Sequence, residues 1–188
     1  AGKVENYSNI VMDTVGTVGN VGIYSTAGIA ENYNTIKVGY SDPTTSSYGI
    51  GMAATGGSKI YNKSGAVIDV NGSNSIGMYG SGIGTEVYNQ GTININANNA
   101  IGMYLDNGAT GVNYGHITAL PNSTNDGITG MVALNNSIIK NYGQIVIDGP
   151  DGIGMYNTIG SSSDPYATDP THTGTIATTN GAVATQTQ

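Results

Sequence analysis

The sequence predicts an all-β fold: a single-stranded, parallel β-solenoid of right-handed coils, each roughly 26 residues long. Two recurrent strings and a recurrent asparagine carry that prediction. Ile-Gly-Met-Tyr occurs at Ile76–Tyr79, Ile101–Tyr104 and Ile153–Tyr156, with variants at Val21-Gly22-Ile23-Tyr24 and Ile50-Gly51-Met52-Ala53. An Asn-containing corner followed by an alternating apolar strand occurs between them, as in Asn89-Gln90-Gly91-Thr92-Ile93-Asn94-Ile95. Aligned on the asparagine, the copies fall at Asn6, Asn32, Asn62, Asn89, Asn113 and Asn141, with spacings of 26, 30, 27, 24 and 28.

Taken in order, each coil starts with an inward position before the asparagine: Val4, Ala30, Ile60, Val87, Gly111 and Ile139. The asparagine follows as a structural ladder, capping bent backbone, tolerating the left-handed region and bonding its equivalent in the next coil. Gly91, Gly115 and Gly143 are read as supplying positive φ at that corner. The next strand buries pairs such as Ile68/Val70, Ile93/Ile95 and Ile145/Ile147. In Ile-Gly-Met-Tyr the two-residue period places Ile76 and Met78 on the inner face, Gly77 and Tyr79 on the outer. The copy at Asn62 carries two extra corner residues in Lys63-Ser64-Gly65-Ala66, and the copy at Met131 one insertion. Loops are expected at 40–47 and 120–126, and 157–170 reads as irregular. His172–Thr178 reads as a degenerate seventh corner and strand. One solenoid segment therefore covers 1–188, six to seven coils, and reads as a piece of a longer protein. The right hand follows from the preference of parallel crossovers. The period is too short for a propeller blade, and Leu is too scarce for a leucine-rich repeat.

Composition narrows the function. Charged residues make up 9% of the chain, net charge is −7, and five Lys stand without any Arg. That balance argues against a nucleic-acid partner. Without Cys there is no disulfide scaffold or thiolate metal site. No stretch is long and apolar enough for a membrane-spanning helix.

Candidate chemistry is sparse. Tyr24, Tyr79, Tyr104 and Tyr156 form an outward column beside the Met strands, and Tyr7, Tyr33, Tyr114 and Tyr142 sit at the corner after the asparagine. Such rings either stack on sugar or protein partners or stack on one another and stiffen the rod. Asp148-Gly149-Pro150-Asp151-Gly152 reads as tight turns rather than a calcium loop, because a hard cation needs six to eight oxygens. Asp69, Asp106 and Asp148 lie at different offsets in their coils, so paired-carboxylate chemistry has no support. His116 and His172 read as isolated corner residues. Thr175, Thr178 and Thr179 have no upstream counterparts, which sets ice binding aside. No catalytic, cofactor or metal residues are expected.

Joined to Asn-x-Gly-Thr-Ile corners, the Ile-Gly-Met-Tyr strands resemble the passenger repeats of the large autotransporter adhesins of fusobacteria and related Gram-negative bacteria, over Gly2 to about Ala177. The resemblance implies an exported β-helix on the cell surface, anchored by a C-terminal outer-membrane barrel outside this chain. It implies adhesion to host cells or other bacteria, through a surface protein or a glycan. A purely structural spacer and a polysaccharide-active enzyme are the alternatives. Open strand edges would also permit lateral or end-to-end self-association.

Overall fold

The computed structural model describes residues 2–12, 19–39, 48–119 and 125–188. The expected loop 40–47 lies outside these, as does 120–126 except for Asn125 and Asp126. Among the described residues there is no helix, and three seven-stranded sheets run the length of the solenoid. The fourth coil shows the unit. Glu86–Asn89 lies in sheet A, Thr92–Ile95 in sheet B and Ile101–Asp106 in sheet C. Every strand-to-strand pairing within the sheets is parallel and joins one coil to the next, as in Asn62↔Asn89↔Asn113 and Met78↔Met103↔Met131. The solenoid prediction holds. Six coil-to-coil steps at about 4.8 Å give a rod roughly 30 Å long.

Each sheet turns one face inward, and the inward columns meet on the axis. Ile36, Ile68, Ile93, Ile117 and Ile145 of sheet B and Met52, Met78, Met103, Met131 and Met155 of sheet C are fully buried. Val4 is the exception in its column: it lies in the first coil and is 58% exposed.

Strict alternation fails in the Ile-Gly-Met-Tyr strand. Ile76 is half-exposed, whereas Gly77 and Met78 are both buried. A Cβ on Gly77 would sit 2.7 Å from the Gly102 carbonyl oxygen and 2.9 Å from Ile93 Cγ2. Two consecutive residues thus face the core, and the first must be Gly because the sheet B isoleucine already fills its place. The column Gly22, Gly51, Gly77, Gly102, Gly130 repeats this contact against successive isoleucines.

The insertion expected at Met131 is not there. Thr129 pairs with Ile101 and Ile153, and Met131 with Met103 and Met155. Thr129-Gly130-Met131-Val132 is therefore the strand copy, and Ile128 occupies the buried corner position before it. The extra corner residues at 63–66 are present: Asn62 and Val67 align with Asn89 and Thr92. Segment 157–170 is not wholly irregular, because Ser162–Asp164 forms a strand pairing with Ile138–Asn141. The seventh copy of sheet B is Thr175–Thr179.

Gly111 departs from the large inward residues of its column for a packing reason. A Cβ there would meet Leu105 Cδ2 at 2.5 Å and Cγ at 2.9 Å, and nothing else lies as near. One coil earlier the sizes are reversed, with Gly80 beside Val87. Leu105→Ala should cost about 2–5 kcal/mol through the cavity it leaves. Adding Gly111→Val should recover part of that loss, whereas Gly111→Val alone should destabilise by about 1–3 kcal/mol. Chemical denaturation of the four proteins in this cycle measures the coupling.

Candidate binding surface

The inner side of the A–B corner is the asparagine ladder. Asn6, Asn32, Asn62, Asn89 and Asn113 each donate Nδ2–H to the Oδ1 of the asparagine in the next coil, at 2.8, 3.0, 2.9, 2.7 and 2.8 Å. Asn32, Asn62, Asn89, Asn113 and Asn141 are fully buried. Their amides also bond corner carbonyls, as Asn89 does with His116 at 3.2 Å. Asn141 ends the series by donating to the carbonyls of Pro165 and Thr175, both at 3.0 Å. The amide-to-amide expectation is met.

The left-handed expectation is not. No ladder asparagine has positive φ; among the described residues the asparagines that do are Asn74, Asn99, Asn107, Asn135, Asn136 and Asn180, in other corners. Gly91, Gly115 and Gly143 do not have it either. They are glycines because the coils touch there. A Cβ on Gly115 would lie 2.0 Å from the Gly91 carbonyl oxygen, and one on Gly143 2.1 Å from that of Gly115.

Outside this corner the rings stack in pairs. Tyr7 and Tyr33 lie 4.7 Å apart at 9°, and Tyr114 and Tyr142 lie 5.0 Å apart at 14°. Sequence reasoning missed a third pair, Tyr61 and Tyr88, on the outer face of sheet A at 4.8 Å and 5°. Its signal was a tyrosine directly before the ladder asparagine in two adjacent coils. The expected column on sheet C is broken. Tyr79 and Tyr104 stack at 5.8 Å and 27°, but in register Tyr24 meets Ala53 and Tyr156 meets Val132. Tyr24 instead hydrogen-bonds Thr55 Oγ1 at 3.1 Å, and Tyr156 donates to Gln188 at 3.1 Å. Tyr24 and Tyr7 are the most open of the named rings, 59% and 63% exposed.

Charge is threaded through the sheet A rings. Lys3 bridges Glu5 and Glu31, both at 2.7 Å, and Lys63 reaches Glu31 at 3.6 Å while lying 5.2 Å from the Tyr61 ring centre. Lys59 pairs with Glu86 at 2.8 Å. Tyr33 and Tyr88 donate to Glu31 and Glu86, each at 2.7 Å. The Lys3 ammonium, with help from Tyr33, holds the Glu31 carboxyl below its usual range, and Lys59 followed by Tyr88 does the same for Glu86. The stability these pairs add is present above the ordinary Glu pKa and is lost as pH falls through the lowered values. The bond to Glu31 raises the Tyr33 phenol, and burial followed by the Glu86 bond raises that of Tyr88, so both rings stay neutral.

His172 is not isolated. Its Nδ1 lies 3.1 Å from Asp169 Oδ1, and its ring meets Tyr114 edge-on at 5.1 Å and 64°. Asp169 Oδ1 also accepts from the backbone N–H groups of Thr171 and His172 and from the Thr171 hydroxyl. These bonds, the Thr171 N–H first, pull the Asp169 carboxyl down to about 2. His116 stands exposed with Gln144 Oε1 at 3.1 Å. Asp148 is 3% exposed and accepts from Thr179 and Asn180, so it is a structural acceptor. No group of three or more His, Cys, Asp or Glu suited to a metal ion occurs among the described residues. Asp69 and Asp106 are engaged separately, with Asn94 at 2.8 Å and Asn135 at 2.7 Å.

A parallel solenoid with a polar ladder inside and aromatic pairs outside defines a β-helix shaft. The family model described as the BigA third pectate lyase-like domain matches residues 1–116, more than half of the 188-residue chain, and the chain belongs to that family. No curated protein and no solved structure matches it.

Proposed function

We propose that this chain is a length of bacterial surface passenger, of the autotransporter-adhesin type, that attaches the cell to a protein or glycan on a host cell or another bacterium. The observation that carries this reading is the set of outward tyrosine pairs repeated along one rod. A stacked aromatic contact contributes about 1 kcal/mol, too little alone. Several on one rigid scaffold act together, because the first contact raises the effective concentration of the rest. The β-helix family membership supports export as a rod, and an acidic surface without Arg supports a partner other than nucleic acid or a polyanion.

The family's description as pectate lyase-like raises polysaccharide cleavage as a second reading. We propose that this chain performs no catalysis. Supporting that, Glu31 and Glu86 are held by lysines, Asp148 is buried in hydrogen bonds, and Asp69 and Asp106 occupy separate sheets. A fold by itself does not carry the activity of its relatives.

The test exchanges coils 50–157 for unrelated solenoid coils of equal length without exposed rings, in protein displayed on cells. Attachment should fall.

A further inference from the structure

We propose that the A–B corner holds a sugar-binding slot at Gln90, taking one uncharged pyranose ring of a glycan against the free face of Tyr114. This rests on the adhesive reading and names a ligand class for it.

The slot is a gap in the tyrosine column. By the ladder register the residues after the asparagines are Tyr7, Tyr33, Lys63, Gln90, Tyr114 and Tyr142. Rings stack on both sides of the gap, at Tyr7–Tyr33 and at Tyr114–Tyr142. Lys63 turns away over Tyr61 and toward Glu31. The coils of Lys63 and Gln90 therefore carry no ring at this position, and the coil of Gln90 lies next to Tyr114 at a spacing of about 4.8 Å. That is the thickness a stacked pyranose needs.

The walls come from the two irregularities flanking the gap. The corner extended by two residues supplies Ser64, and the long segment after Ser162–Asp164 returns along the rod to bring Asp169 and His172 beside Tyr114. Together Ser64, Gln90, Tyr114, Asp169 and His172 line an open, solvent-facing cleft of about 700 Å³, roomy enough for a single sugar ring.

The lining suits a neutral sugar. Tyr142 stacks on one side of Tyr114 and His172 meets the ring at 64° and 5.1 Å, while the coil on the side away from Tyr142 carries only Gln90, which leaves room there for the apolar C–H face of a pyranose. Among the described residues the Ser64 hydroxyl, the Gln90 side-chain amide and Asp169 Oδ2 make no hydrogen bond, so each is free to meet a sugar hydroxyl. Asp169 stays ionised at neutral pH and no lysine lines the cleft, so a uronate is disfavoured. That separates the ligand class from an acidic polysaccharide.

The experiment is NMR titration of the whole chain with methyl glucoside, methyl galactoside and galacturonate, observing the tyrosine and histidine rings. At least one neutral glycoside should give saturable shifts at Tyr114 and His172, with galacturonate binding more weakly. Tyr114→Ala should weaken binding by about tenfold or more. Gln90→Tyr fills the gap with a ring and should abolish the shifts while the chain stays folded. No saturable shift with either glycoside, shifts that survive Gln90→Tyr, or galacturonate binding at least as tightly would overturn the proposal. If the glycosides fail but coil exchange still lowers attachment, the slot is wrong and the adhesive reading stands. If they bind but coil exchange leaves attachment unchanged, the slot stands and the adhesive reading falls.

Discussion

Asn89→Ala should lower the free energy of unfolding by about 3–5 kcal/mol, one of the largest effects of any single side-chain truncation here. Asn89 is fully buried in the middle of the ladder. It accepts from Asn62 at 2.9 Å and donates to Asn113 at 2.7 Å and to the His116 carbonyl at 3.2 Å. Truncation leaves unpaired polar groups above and below in a site water does not reach, each costing about 1–3 kcal/mol. The cavity adds to that. The matched control is Asn6→Ala. Asn6 makes the same kind of bond to Asn32, but at the partly exposed end of the series, where water can replace the lost partner. That change should cost about 1 kcal/mol or less. Urea midpoints of the two variants compare the positions; equal losses would mean that the ladder is not a buried network.

Gly115→Ala should cost about 3 kcal/mol or more, although it adds a single methyl group. The Cβ would sit 2.0 Å from the Gly91 carbonyl oxygen and 2.8 Å from the Gln90 carbonyl carbon, both backbone atoms of the neighbouring coil. Relief requires parting two coils that are also tied by the His116 N–H to Gly91 carbonyl bond at 2.9 Å. Gly57→Ala isolates the conformational effect. Gly57 has φ +76 and no heavy atom within 4 Å of its added Cβ. It should cost only the left-handed penalty, about 1–2 kcal/mol. Thermal unfolding ranks the two. A Gly115→Ala protein as stable as Gly57→Ala would show that the coils can separate freely at this corner.

These two positions also mark how far the sequence could be read. Asn89 was legible as an inward ladder residue because its period is visible in one dimension. The role of Gly115 was not, because its constraint is an approach to a residue 24 positions earlier. A glycine after an asparagine reads locally as a turn, and a single chain segment does not display the coil beside it. The same limit explains Gly77. Two-residue alternation is a property of one strand, but the inward turn at Gly77 is set by Ile93 in another sheet. At Thr129 the resemblance of Ile128 to the repeat's first residue shifted the alignment by one, and only Met131↔Met103 pairing restores it. The exchange of bulk between Leu105 and Gly111 likewise belongs to two sheets at once.

The candidate surface was legible as residue type more than as place. Exposed tyrosines were evident, and Tyr7, Tyr33, Tyr114 and Tyr142 proved to be stacked at the expected corner. The sheet C column breaks where Ala53 and Val132 replace tyrosine. Tyr61 and Tyr88 were hidden beside the ladder they precede. His172 looked solitary because the segment that carries it folds back toward Tyr114, a path that no local pattern encodes.

Attachment is the most direct measure of whether the shaft recognises a partner or only holds one at a distance. Cells displaying the protein are compared with cells in which coils 50–157 are replaced by ring-free solenoid coils of equal length, at matched surface density. The account predicts that attachment falls sharply, because Tyr61–Tyr88, Tyr79–Tyr104 and Tyr114–Tyr142 are removed while rod length is kept. Attachment unchanged at equal display would contradict it and leave these coils as a spacer.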